Sequence, residues 1–446
     1  MAGSTAAGPT SGGAEPLDVT ATLRSPGYVR LLLLAVLVGA PISAGAYYFL
    51  QLVDSLQTWI YTNLPHAFGF ADTPVWWPLP CLAVAGLLTA ACIQYLPGRG
   101  GHSPVDGFST RGVALPADLP GILGAALATL GLGAVLGPEA PLIALGGGLA
   151  FSVTLLSRRD VPQQAGTVVA AAGSFAALST LLGSPLIGAF LLMEATGLGG
   201  ATLGLVLVPG LLASGIGSLI FIGLDAVSGL GRVSLTLPGL PPFDRPTVAE
   251  FGWALAIGVA AAIFGSAIRW FGAWLRIYSD PRRMLVTPAL GLGIGVLVII
   301  YTQATGHAFS DVLFSGQNQL GPLLQHNAAY SAPALIALLA CKGAAYSLSL
   351  SSFRGGPVFP SMFLGAAGGV AMSHLPGLPL VAGVAMGIGA MCVVMLRLPL
   401  TSVLLATLLL FSSGAALMPL VIVAVVVAYV ISALLDGRFR RPAKTP

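Results

Sequence analysis

Charge is what this chain has least of: only 8% of its 446 residues are Asp, Glu, Lys or Arg, against roughly 25% in an ordinary soluble domain. A soluble globular protein is thereby excluded. Lysine occurs only at Lys342 and Lys444. The net charge of +4 comes from arginines scattered over short segments and both ends of the chain, not from the contiguous basic patch that nucleic acid requires. Cysteine is scarce too. Cys81, Cys92, Cys341 and Cys392 stand singly in apolar runs without CxxC or Cys/His spacing, so no disulfide framework or metal site is implied. HExxH, GxSxG and paired intramembrane aspartates are missing, which argues against an intramembrane enzyme, and no cofactor is expected. Residues 1–22 lack a basic n-region and carry Glu15 and Asp18 where a signal peptide would be apolar, so they read as a disordered tail.

What the chain does have is hydrophobic sequence, 56% of it. Tracts of about the ~20 residues that span a bilayer recur at Leu31–Val53, Pro80–Tyr95, Ala201–Leu224, Phe251–Trp274, Leu285–Tyr301 and Pro419–Leu435. The expected class is an all-α polytopic membrane protein. Arg24 and Arg30 precede the first tract, Arg158 and Arg159 follow an early hairpin, and Arg282 and Arg283 lie mid-chain. Arg438, Arg440, Arg441 and Lys444 close the sequence. The positive-inside rule then puts both termini in the cytoplasm, with the plasma (inner) membrane as the expected location. Glycine (59) and proline (33) are abundant, and the prolines often edge apolar stretches too short to span. Broken helices at membrane depth are tolerated where they line a wet cavity, which points to a transport pathway.

One self-similarity stands out. Gly137-Pro138-Glu139-Ala140-Pro141, followed by Leu145-Gly146, recurs as Gly356-Pro357-Val358-Phe359-Pro360, followed by Leu364-Gly365, at an offset of 219 residues. Gly173, Ala176 and Pro185-Leu186 recur as Gly387, Ala390 and Pro399-Leu400 at an offset of 214. The chain therefore divides into a first membrane repeat, 23–224, a linker, 225–246, a second repeat, 247–436, and a basic tail, 437–446. Paired repeats with interrupted helices in corresponding places mark a transporter whose site lies where the repeats meet.

The chemistry of the repeated segment suits an anion. In Gly-Pro-x-x-Pro the first proline is expected at helix position N1, where its missing N–H costs nothing, and the glycine admits a ligand close to the backbone. Each copy then starts a helix in mid-membrane with free donors on Glu139 and Ala140, or on Val358 and Phe359, at the positive end of its dipole. Partial charges bind weakly enough to release, as conduction requires. Glu139, the one acidic residue in the motif, becomes a tethered competitor for the anion, displaced by chloride or neutralised by a proton. A third break, Gly98 to Gly107, containing Gly100, Gly101, His102 and Ser103, offers further backbone donors. His102 and Asp106 alone make no metal site.

These segments resemble the CLC family of chloride channels and chloride/proton antiporters. Gly137 to Pro141 looks like the family's G-[KR]-E-G-P, Gly355 to Pro360 like its G-G-x-F-x-P, and Gly100 to Pro104 like its G-S-G-I-P, with Ser184–Glu194 and Arg397–Leu400 following the two core motifs. The resemblance implies an inverted two-fold repeat of about eighteen tilted, partly broken helices. It implies a homodimer with one pore per subunit, contacts supplied by 185–220 and 400–430, and Glu139 as the gating glutamate. Three departures stand out. The family's central serine falls on Gly101, its pore phenylalanine on Val358 with Phe359 one place later, and its C-terminal pore tyrosine has no counterpart. The antiporters' inner proton glutamate falls on Ala195, beside Glu194, which is a candidate substitute or else a carboxylate held by neighbours at a helix end.

The expected function is gated transport of chloride or a similar small anion, as a channel or a weakly proton-coupled transporter. The alternatives are a tightly coupled chloride/proton antiporter and a transporter of an anionic metabolite with a different fold. The last would recruit an arginine or lysine, with Arg354 and Lys342 as candidates.

Overall fold

The computed structural model describes residues 24–108, 114–157, 163–197, 200–229, 241, 243, 245–410 and 414–439. The expected tails therefore fall largely outside the described residues, as do Arg158, Arg159, Arg440, Arg441 and Lys444. Fifteen helices make up the described chain. They are α1 Pro26–Ala67, α2 Pro78–Tyr95, α3 Leu119–Gly131, α4 Glu139–Ser157, α5 Gln163–Leu182, α6 Pro185–Thr196, α7 Gly200–Ser228 and α8 Val248–Ser279. Then follow α9 Arg283–Thr305, α10 Gln317–Gln325, α11 Ala332–Ser352, α12 Val358–Ser373, α13 Leu380–Leu396, α14 Pro399–Leu409 and α15 Gly414–Phe439. No strand occurs among the described residues. Helix α7 runs four residues into the expected linker, to Ser228, and α15 continues to Phe439 through the start of the expected basic tail.

Seven helices are long and apolar enough to cross a membrane: α1, α2, the Val206–Ser228 part of α7, α8, α9, α11 and the Gly414–Gly437 part of α15. Six coincide with tracts expected from hydropathy. The seventh, α11, was missed because Lys342 and four serines interrupt its apolar pattern. Six further apolar helices are too short. At about 1.5 Å per residue, the 16 residues of α12 reach roughly 24 Å, short of a ~30 Å hydrocarbon core. These short helices begin in the paired places the repeat marks: α4 and α12 at Glu139 and Val358, α6 and α14 at Pro185 and Pro399.

The repeat is also visible in how these helices pack. In the first half α4 crosses α5 where Gly146 meets Gly173, and a Cβ on either would overlap the other's carbonyl oxygen. In the second half Gly365 and Gly387 meet in the same way between α12 and α13. Both pairs are those matched by sequence. Without a hydrophobic drive between helices in lipid, such close backbone approach is what holds the crossing together. Every residue of α13 from Val381 to Leu396 is buried, so the short helices form the centre and the long spans surround them.

Candidate functional site

The site is built where the two motif copies touch. Gly137 N–H donates to the Gly356 carbonyl at 2.8 Å, and Gly356 N–H donates back to Gly137 at 2.6 Å, a two-residue antiparallel bridge. Immediately after it α4 and α12 begin. Leu142 N–H bonds Pro138 O at 3.0 Å and Ser361 N–H bonds Pro357 O at 3.3 Å. Each proline is thus the N-cap residue, one place earlier than expected, and Glu139 and Val358 are the first residues of their helices. The free donors are unchanged by this shift, because the N1 and N2 amides lack intrahelical partners either way.

Glu139 is completely buried. Its Oε1 accepts the N–H of Phe359 at 2.8 Å, so the carboxylate lies across the bridge on the N-terminus of the other half's helix. Oε2 is buried with no hydrogen-bond partner. Glycine is required on both sides, since a Cβ on Gly137 or on Gly356 would overlap the carboxylate. A buried carboxylate held by one amide, with its second oxygen unsatisfied, is an expensive arrangement.

Helix α11 positions both motif segments. Tyr346 Oη donates to Pro357 O at 2.9 Å, and Ser349 Oγ accepts Val135 N–H at 3.0 Å just upstream of the first motif. Neither residue drew attention in the sequence, where nothing tells a buried tyrosine or serine that holds a loop from one that merely packs. A cleft of ≈ 60 Å³, lined by Asp54, Gln57, Leu136, Pro138, Phe314 and Gln317 among others, reaches the first motif. That is room for a few waters or one small anion.

The other candidates are placed as follows. Lys342 is buried, but its Nζ donates to the carbonyls of Asp311, Val312, Leu313 and Phe314 at 2.9–3.4 Å and lies 4.5 Å from the centre of the Phe363 ring. It pins a loop and leaves no donor for a substrate. In the third break, Gly98, Arg99, Gly100 and Gly101 all have positive φ, and the loop packs on α3 and on Arg354, with Gly101 against Ile122 and Gly100 against Ile93, Ala125 and Arg354. Ser103 is buried and His102 exposed. The loop is thus joined to the second motif through Arg354.

Glu194 is held. Its Oε1 accepts Leu400 N–H at 2.9 Å, and its Oε2 accepts Thr401 N–H at 2.8 Å and Thr401 Oγ1–H at 2.6 Å, so it caps α14 from across the repeat boundary. The reason lies in the pairing of the halves. Ser184 caps α6 from within its own half, through Ile187 N–H at 3.4 Å, but the residue matching Ser184 is Leu398, which has no side-chain acceptor.

The family described as voltage gated chloride channel matches residues 114–433. YfeO of Escherichia coli (strain SE11), a protein named for ion transport, is 26% identical over 356 residues, covering 78% of this chain and 80% of its own. YfeO of Shigella boydii serotype 4 (strain Sb227) shows the same identity and coverage. Among solved structures, a slow cyanobacterial Cl⁻/H⁺ antiporter superposes with a TM-score of 0.74 at 19% identity, covering 92% of this chain and 95% of its own. A CLC-type fluoride/proton antiporter gives 0.62 at 18% identity, covering 91% and 95%. The fold is that of these antiporters, which removes the alternative of a transporter with a different fold.

Proposed function

Since the chain belongs to the voltage gated chloride channel (CLC) family, we propose that it carries chloride or a similar small anion across the membrane, with Glu139 as the gate. The observation that carries this reading is the Glu139 carboxylate seated on the Phe359 N–H where the two halves meet. Its seat is a helix N-terminus that favours any anion. When chloride arrives, or when Glu139 is protonated, the side chain gives up this amide and the anion takes it. Gly137, Pro138, Ala140, Gly356, Val358 and Phe359 form the central backbone site, and Gly100, Gly101, His102 and Ser103 line the approach from the other side. The two repeats, 23–224 and 247–436, supply one motif each.

Protons regulate the gate and are not exchanged in fixed ratio for the anion. Tight exchange needs a second carboxylate at the inner end of a proton path. Ala195 has none, and Glu194 is tied by three hydrogen bonds to the start of α14. The protein works as a homodimer in the plasma membrane with both termini cytoplasmic. The flanks of α6, α7, α14 and α15 bear the exposed apolar residues Leu186, Leu219, Leu400 and Val426 that suit a subunit contact. The test is an outward chloride gradient imposed on reconstituted vesicles while internal pH is recorded. The expected result is anion flux without uphill proton movement. Uphill pumping that disappears in Glu194→Gln would establish tight coupling and make Glu194 the inner proton acceptor.

A further inference from the structure

Two basic side chains are buried among the described residues, Lys342 and Arg354. Lys342 is satisfied by its four carbonyls. Arg354, only 8% exposed, is not. Its Nη1 donates to the neighbouring Phe353 carbonyl at 3.1 Å, and its Nε is buried with no partner. The backbone around it is fixed, with Arg354 N–H on Thr129 Oγ1 at 3.2 Å. The glycine at Gly100 leaves space for the side chain, since a Cβ there would meet Arg354 Cγ at 3.1 Å.

The charged groups within electrostatic reach of this guanidinium are Arg276, Arg283, Asp280 and Asp106, with His102 also nearby. Both aspartates are already engaged. Asp106 takes Arg276 at 2.6 Å, and Asp280 takes Arg276 at 3.0 Å and Arg283 at 2.5 Å. Burial alone would raise the pKa of Asp280, but the hydrogen bonds from Arg283 and Arg276 outweigh it and hold the carboxyl below its ordinary value. Three guanidiniums thus face two committed carboxylates, and Arg354 is the surplus charge. An arginine does not escape burial by losing its proton, and a buried charge without a partner is strongly disfavoured. An anion is the kind of partner that would satisfy it.

We propose that Arg354 selects anions at the inner mouth of the pathway, holding a small planar oxyanion of the nitrate class along its Nε–Nη2 edge. The edge left by the Nη1 bond presents two parallel N–H groups, which match two oxygens of a planar anion better than they match a sphere. The arginine-rich loop at Arg282 and Arg283 puts this mouth on the cytoplasmic side. Arg354 directly precedes Gly355-Gly356, so an anion released from it enters the segment that ends at Phe359. The proposal rests on reading the chain as a small-anion transporter.

The test uses the full-length protein in vesicles, with nitrate and chloride as probes at the face bearing Arg276 and Arg283. In Arg354→Lys, which keeps the charge and loses the fork, the apparent affinity for nitrate should fall about tenfold, the worth of one charge-assisted hydrogen bond. Chloride affinity should change by less than about threefold, since a point charge serves a sphere nearly as well. Unchanged nitrate affinity in Arg354→Lys overturns the proposal. If the variant does not fold, the wild type decides by thermal stabilisation: greater protection by nitrate and formate than by bromide at equal concentration supports the site, and equal protection overturns it. Glu139→Gln serves as the control. A folded Glu139→Gln that carries no anion would defeat the gate reading, whereas normal gating with an indifferent Arg354→Lys would defeat only this one.

Discussion

Two glutamates of the first half, Glu139 and Glu194, reach across to the second half, and each ends on the N-terminus of a short helix there. Glu139 meets α12 through a single amide and leaves Oε2 unsatisfied in a completely buried place. Glu194 meets α14 through two amides and a hydroxyl at a partly exposed one. The same chemistry, a carboxylate on helix-end donors, thus leaves one side chain with an unsatisfied oxygen and fastens the other by three hydrogen bonds. The difference lies in the count of bonds and in burial. Under the proposed gating role, a tethered ligand that yields to an anion is left partly unsatisfied, while a structural cap is not.

The largest effect is expected from filling the space under Glu139. Gly356→Ala places a methyl group where Oε2 lies, in a sealed site where overpacking costs about 1–3 kcal/mol. Anion flux should fall roughly tenfold or more at every pH, taking about 1.4 kcal/mol as a factor of ten. Wild-type flux in a folded Gly356→Ala protein would show that the carboxylate does not occupy the pathway. On the other side of the comparison, Glu194→Ala removes a cap and should lower stability by about 1–2 kcal/mol, visible as a reduced melting temperature in detergent, with the pH response of transport kept. A changed pH response without loss of stability would reverse the roles assigned to the two glutamates. Thr401→Ala removes only the hydroxyl from the same cap and should cost about 0.5–1 kcal/mol. A larger loss than in Glu194→Ala would mean that Thr401 is held by something other than this carboxylate.

Much of this was legible before any coordinates. The motif pair at Gly137 and Gly356 is local sequence, and its offset brought out the helix starts; that the glycines matched between the halves also meet within each half, Gly146 with Gly173 and Gly365 with Gly387, came only from the structure. The choice of Glu139 followed from its being the one acidic residue in a motif that starts a helix in mid-membrane. Its destination was not legible, because which half's amides a side chain reaches depends on the meeting of segments 219 residues apart. The role of Glu194 left a signal that was not followed: Ser184 aligns with Leu398, so a helix starting at Pro399 lacked an acceptor and needed one from elsewhere. Helix α11 escaped notice because Lys342 breaks its apolar run, and a lysine satisfied by four carbonyls looks in sequence like any intramembrane charge.

The central claim is that Glu139 competes with the anion for the amides at the start of α12. It is tested most directly by anion efflux from vesicles across a range of pH, wild type beside Glu139→Gln. Wild-type flux should rise as pH falls, because protonation frees the Phe359 N–H. The variant, which mimics the protonated side chain, should carry anion at least as fast as the wild type with no dependence on pH. A folded Glu139→Gln protein that is silent at every pH, or that keeps the wild-type profile, would contradict the account.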